Sequence, residues 1–344
     1  MIRILKLSAI SYLLLAFCIG CEKSIKTNNE IFGQENAVWT ESIYLRGIKP
    51  STGKKLKDSD LKKYANTLKE NNIKYAYLFA GPYQEDGHLP NYPFSNLARE
   101  SVIKLKEYYP EIVILPWIGG VQNKTVYLGD SAWVNNALQD TKRLVETLNT
   151  PGIHIDFEYI LKGHPYLDTT IEPEKPGDKE NYAKNVISFH KKLRFLLHNA
   201  FISSVVVATS PDTKPWKRKT TIEELKDLVQ YIDQLSFLYY DTNIDSQKVF
   251  EENCTAQIRD IQTLKDVNPQ SQFLLSIGTF VNRQELRNFR DLKIESISNT
   301  LEVIKKSAIK VDSTNRIIDG ISIFCDWQTD KYEWEEFFDI WVNE

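Results

Sequence analysis

Cysteine is scarce in this chain. Four residues in 344 are too few for a disulfide framework. Cys18 and Cys21 lie near the N-terminus, which leaves Cys254 and Cys325 far apart in sequence, the usual setting of cysteines that pack singly as small apolar side chains. A basic excess is also missing. The 43 Lys and Arg against 46 Asp and Glu give a net charge of −3, so there is no electrostatic footprint for nucleic acid. There is no Gly-x-Gly-x-x-Gly turn and no phosphate-cradling Gly-rich loop, which disfavours nucleotide binding. Internal repeats and low-complexity blocks are absent, and no apolar run reaches the roughly 20 residues that a membrane-spanning helix needs. What remains is an ordinary soluble composition on a chain long enough to bury its core without covalent staples.

The N-terminus stands apart from the rest. Arg3 and Lys6 precede a short apolar run from Leu13 to Ile19, followed by Gly20 and Cys21. A basic start, a short apolar centre and a small residue before the cut read as a secretory signal peptide. Gly20-Cys21 resembles a bacterial lipobox, with Cys18 where Leu is usual. The expectation is cleavage before Cys21, a lipid on its thiol, and attachment to a membrane of the cell envelope. Residues 1–20 are then the signal, 21–38 the lipidated cysteine and a polar flexible tether, and 39–344 the folded body.

From about residue 39 two patterns alternate. Short runs rich in β-branched and aromatic residues read as strands at 42–48, 74–81, 112–119, 152–160, 204–210, 234–241, 272–280 and 320–327. Amphipathic stretches read as helices at 58–70, 130–148, 178–198, 221–232, 255–265, 297–308 and 334–341. In the first of these, Leu61, Tyr64, Ala65 and Leu68 share one helical face. Regular βα alternation requires parallel strands, and eight such units close most naturally into an α/β (β/α)8 TIM barrel. Catalytic groups in such barrels sit at the C-terminal strand ends. A long stretch, 161–179, follows the fourth strand, where loops commonly shape a substrate cleft. The basic run 214–219 reads as a solvated loop.

The fourth strand carries the chemistry. Side chains alternate along a strand, so His154, Asp156 and Glu158 share one face while Ile153, Ile155 and Phe157 share the other. The apolar face suits the helices, which points the polar face into the barrel. Ionisable groups aimed at a core are costly unless they serve a purpose. Two carboxylates on one face repel, so one tends to hold a proton near neutral pH. A protonated carboxyl is what glycosidic cleavage needs to assist the leaving oxygen. Other strand ends offer Phe79, Trp117, Tyr240, Asp241, Asp326 and Trp327.

The segment Pro151-Gly152-Ile153-His154-Ile155-Asp156-Phe157-Glu158 resembles the DGxDxDxE signature on strand four of the family 18 glycoside hydrolases. These include chitinases, endo-β-N-acetylglucosaminidases and peptidoglycan-active enzymes. Pro151 and His154 depart from the signature at its first two acidic positions. Gly119-Gly120 resembles the end of the family's SxGG motif, with Trp117 in place of Ser, and Leu238-Tyr239-Tyr240-Asp241 resembles its M-x-Y-D motif. The resemblance implies Glu158 as proton donor, Asp156 as the group that polarises the substrate's acetamido, and Tyr240 as a hydrogen-bond donor to the acetamido oxygen. Trp327 is implied as the floor of the sugar site, and Phe79, Trp117, His154 and Asp241 as further substrate contacts. It implies retaining, substrate-assisted hydrolysis of a glycan containing N-acetylglucosamine, with no cofactor and no metal. An imidazolium at His154 is expected to keep Asp156 ionised. Two other readings stay open: a glycan-binding lipoprotein without turnover, and a metal-dependent hydrolase built on His154, Asp156 and Glu158.

Overall fold

The computed structural model describes residues 32–49, 52–161, 178–209, 217–279, 289–313 and 317–343. Among these, eight parallel strands close into a barrel. They are β1 Ala37–Thr40, β2 Tyr75–Pro82, β3 Val113–Val121, β4 Gly152–Glu158, β5 Phe201–Val207, β6 Gln234–Leu238, β7 Gln272–Gly278 and β8 Gly320–Phe324. The ring shuts where Ala37 and Val38 of β1 pair with Ser322 and Ile323 of β8. The helices in chain order are α1 Ile43–Arg46, α2 Asp58–Glu70, α3 Asn96–Tyr108, α4 Ser131–Leu148, α5 Asp178–Leu196, α6 Ile222–Leu228, α7 Gln247–Val267, α8 Ile297–Val311 and α9 Lys331–Phe337. The expected (β/α)8 barrel is therefore the fold.

Local chemistry explains most boundaries. Asp130 starts α4 by accepting the backbone N–H groups of Ala132 and Trp133. Thr221 and Glu224 cap α6 reciprocally, and Ser296 caps α8. Helix α2 buries Leu61, Ala65 and Leu68 against the barrel, each leucine stabilising the fold by roughly 1.5–3 kcal/mol. Strand parity sorts the core into two nested clusters. Ile153, Ile155 and Phe157 join the layer between strands and helices. Trp39, Tyr77, Leu115, Val205, Leu238 and Leu274 fill the barrel interior.

Three expectations need correction. The first strand is Ala37–Thr40, not 42–48, and Ile43–Arg46 is a helical turn closed by Gly47 at φ 65°. A four-residue strand buried on both faces has no alternation to read, whereas 42–48 has strand-like composition. The tether boundary moves accordingly. Gly33 N–H donates to Ile318 O at 3.2 Å, and Asn36 accepts from the Trp341 indole at 3.0 Å, so the folded body already includes residues assigned to the tether. The basic run is not simply solvated either: the side chains of Lys217 and Arg218 are only 11% and 12% exposed and both are ion-paired. No helix among the described residues is long and apolar enough to cross a membrane. Cys21 and residues 1–31 lie outside the described residues.

Candidate active site

Strand β4 supplies polar groups at three depths of the barrel. His154 is the deepest and is fully buried. Its ring stacks on Tyr77 at 3.9 Å and meets Trp39 edge-on at 5.4 Å. Its Nδ1 lies 2.7 Å from Ser203 Oγ. The Ser203 hydroxyl donates to Gln234 Oε1 at 2.7 Å, which also accepts from Tyr77 Oη at 2.5 Å. Ser203 must therefore accept from His154, which puts the proton on Nδ1. The chain of contacts continues downward. Gln234 donates to Gln272 at 2.9 Å, Gln272 donates to Glu35 at 2.9 Å, and Glu35 pairs with Lys74 at 2.6 Å. Burial holds the His154 pKa well below 6.5, so the imidazole is neutral.

This corrects the expected role of His154. It is no imidazolium beside Asp156, and with no exposed surface it touches no sugar. Parity put it on the inner face correctly, but a position two residues earlier on a strand is about 6–7 Å deeper, inside the packed interior.

Asp156 and Glu158 stand at the open end of β4, both partly exposed. Their backbone is set by β3, where Gly119 pairs with Asp156 and Val121 with Glu158. A side chain at Gly119 would collide with Asp156 O, since its Cβ would fall 1.9 Å away. Glycine there is thus required by the close approach of β4. Gln122 N–H donates to Glu158 O at 2.8 Å, and Tyr182 Oη of α5 donates to Phe157 O at 2.8 Å. The Glu158 carboxylate is ion-paired with Lys217, whose ammonium arrives from the segment after β5.

Tyr240 lies just past the end of β6 and is 8% exposed. Its pKa is driven well above 10, first by burial and then by the negative charges of Asp241, Glu158 and Asp156. The phenol is therefore a protonated donor that feels both β4 carboxylates. Asp241 is 7% exposed, in a left-handed backbone conformation at φ 51°. The next residue, Thr242, donates its backbone N–H and its hydroxyl to Glu295 Oε1 at 2.8 and 2.5 Å. That clamp ties the segment after β6 to the one preceding α8.

Aromatic side chains rim the mouth. Phe79 and Trp117 meet at 4.7 Å across β2 and β3, both partly exposed. Phe324 stacks flat on Tyr240 at 5.3 Å with 7° between the rings, and Trp327 meets Phe324 edge-on at 5.8 Å. Phe324 escaped the sequence reading, although its parity with buried Ser322 on β8 marks it as inward. Trp327 lies beyond the strand, one ring further out. Lys217 was also missed; the run KPWKRK signals cations but not which one turns inward.

Asp326 leaves this group. It is held by Thr40 Oγ1 at 2.7 Å and by Tyr64 Oη of α2, and its own N–H donates to Trp39 O at 3.2 Å. Burial lifts its pKa to about 7. Among the described residues no three His, Cys, Asp or Glu side chains gather in a metal-binding arrangement, and His154 spends Nδ1 on Ser203.

A pocket at the β4–β5 junction is lined by Asp156, Glu158, Tyr159, Tyr182, Arg218 and Leu238. A larger hollow lined by Gly47, Leu56, Leu61, Leu97 and Ile103 lies on the outer helical ring, away from the strand ends. Chemically, the mouth combines a half-buried carboxyl at the strand end, a second carboxylate one layer below, a phenol donor and aromatic walls. That set suits proton transfer to a neutral, partly apolar substrate.

No family model and no curated protein sequence matches the chain. Solved structures match it in fold. A chitinase from Chromobacterium violaceum ATCC 12472 aligns over 90% of this chain and 99% of its own at 12% identity, with a TM-score of 0.55. The spore cortex-lytic enzyme SleL of Bacillus megaterium QM B1551 aligns over 90% of this chain and 74% of its own at 15% identity, TM-score 0.55. A family 18 chitinase from Cycas revoluta, solved as a mutant in complex with (GlcNAc)4, aligns over 89% and 99% at 11% identity, TM-score 0.54. At these identities the likeness establishes the architecture: the chain has the barrel fold of the family 18 chitinases.

Proposed function

We propose that the protein is a glycoside hydrolase that cleaves β-linked glycans containing N-acetylglucosamine, with retention and with help from the substrate's own acetamido group. The observation that carries this reading is the inward pair Asp156 and Glu158 at the end of β4, with the protonated Tyr240 phenol under the electrostatic influence of both. Glu158 protonates the glycosidic oxygen while the 2-acetamido oxygen attacks C1. Asp156 and Tyr240 hold and charge-stabilise the oxazolinium. Glu158, now a carboxylate, then activates the water that reopens it. Phe324, Trp327, Trp117 and Phe79 supply apolar walls for sugar faces. The neighbour solved with an N-acetylglucosamine tetramer supports this substrate class.

The proposal extends to placement. Cleavage before Cys21 and lipidation of its thiol tether the enzyme to an envelope membrane; metabolic lipid labelling that disappears in Cys21→Ser tests this. A screen of N-acetylglucosamine oligomers, N-glycans and peptidoglycan fragments, read by mass spectrometry beside Glu158→Gln, tests the activity. The expected result is product with the wild type and almost none with the variant.

One observation favours a second reading, glycan binding without turnover. Glu158 is ion-paired with Lys217, and an ionised carboxylate has no proton to give. Calorimetric binding of the oligomers with no product in the same screen would select it.

A further inference from the structure

The Glu158–Lys217 contact is built rather than incidental. Lys217 is anchored through its backbone, which bridges antiparallel to Ile160 just past β4. The next residue continues the pairing, Arg218 N–H donating to Tyr159 O at 2.9 Å. Arg218 is itself fixed by Glu224 at 2.9 Å and by the carbonyls of Lys179 at 2.7 Å and Lys219 at 3.0 Å. The ammonium is thus held against Glu158, with side-chain exposures of 11% for the lysine and 24% for the glutamate. A pair so restrained and desolvated is screened less and loses less side-chain entropy than an ordinary surface pair.

Among the described residues, the charged and titratable groups around Glu158 are few. Asp156 comes from β4, Tyr240 from the end of β6, Tyr182 from α5, and Lys217 and Arg218 from the segment before α6. Both phenols feel the Glu158 charge and stay protonated. Asp156 repels it, and Lys217 is a cation in direct contact.

We infer that Lys217 is a positioning residue for the acid–base step, holding Glu158 ionised while the site is empty and releasing it when the glycosidic oxygen arrives. This rests on the assignment of Glu158 as the acid–base group. Once the pair opens, Glu158 takes a proton from solvent, and Lys217 keeps its own. The carboxyl gives that proton to the leaving oxygen as the C1–O bond breaks and the acetamido oxygen bonds to C1. It regains a proton from the water that reopens the oxazolinium, then loses it to solvent as the ion pair re-forms. An adjacent cation favours the carboxylate, so the fraction of enzyme able to donate falls off at lower pH than it would without the lysine. Lys217 thereby sets the alkaline limb of the activity profile.

The experiment compares wild type, Lys217→Met, Lys217→Gln and Lys217→Arg in the full-length protein. The readouts are the pH profile of kcat/KM on an N-acetylglucosamine oligomer, and the titration of the Glu158 carboxyl carbon by 13C NMR, its signal assigned with Glu158→Gln. In the Met and Gln variants the alkaline limb and the carboxyl midpoint are expected to rise together by about one pH unit or more, giving roughly tenfold higher kcat/KM on the alkaline side. The Arg variant should track the wild type. Superimposed limbs and unmoved carboxyl midpoints in folded Met and Gln variants would overturn the inference. A carboxyl midpoint that rises in a protein that hydrolyses no glycan upholds the hold on Glu158 and removes the glycosidase reading instead.

Discussion

The floor and the mouth of this barrel are built from the same strands and the same residue types, yet they obey different rules. On the floor, His154 is neutral, fully buried and joined to Ser203, Gln234, Gln272 and Glu35 in one run of hydrogen bonds. At the mouth, one or two steps further along β4, Asp156 and Glu158 are partly exposed, and Glu158 faces a cation. Most polar groups on the floor pair with one another, which is how a core tolerates them, although the buried His154 Nε2 has no hydrogen-bond partner among the described residues. Polar groups at the mouth remain within reach of solvent. Depth along a strand, more than residue type, separates the structural role from the chemical one.

The sharpest way to break this contrast is to disable the mouth without touching the fold. Glu158→Gln is expected to lower turnover by about 10²–10⁴ with a nearly unchanged melting temperature, measured by oligomer hydrolysis and calorimetry. The floor should respond in the opposite sense. His154→Ala removes a stacked ring and strands Ser203, and is expected to cost about 3–5 kcal/mol in urea unfolding, while the surviving folded protein keeps its KM. A change in KM with stability intact would place His154 back at the substrate.

Asp326 tests the region between the two. Its folded pKa, raised by burial to about 7 from the ordinary 3.8 of an aspartate, means the folded state binds the proton more tightly than the unfolded chain. Stability from this group is fully present below the unfolded value and declines as pH rises through the window up to about 7. The decline is expected to be on the order of a few kcal/mol. In Asp326→Asn that slope should vanish from stability measured between pH 4 and 8. The smallest effect belongs outside the barrel: Phe195→Ser, at a ring 90% exposed, should move stability by no more than about 0.5 kcal/mol.

Much of this contrast was legible in the sequence, and its failures are instructive. Alternation in Ile153 through Glu158 assigns inner and outer faces correctly, because a strand with helices on one side and a barrel interior on the other must segregate them. The eightfold βα pattern was equally plain. Alternation carries no information on depth, so His154 was grouped with the two acids. The first strand was misplaced because Ala37–Thr40 is buried on both faces and too short to show a period. The helix Asn96–Tyr108 was implied by the alternation but not located, although Ala98, Ser101, Val102 and Leu105 mark its buried face. Lys217 was out of reach: its place beside Glu158 depends on a bridge between Ile160 and Lys217 that brings together two segments distant in sequence.

The measurement that bears most directly on the central claim is the anomeric configuration of the first product, read by proton NMR within seconds of adding enzyme to an N-acetylglucosamine oligomer. Substrate-assisted attack steered by Asp156 and Tyr240, with Glu158 as acid and then base, predicts the β-anomer first, in wild type and not in Glu158→Gln. An initial α-anomer, or equal release by the variant, would contradict it.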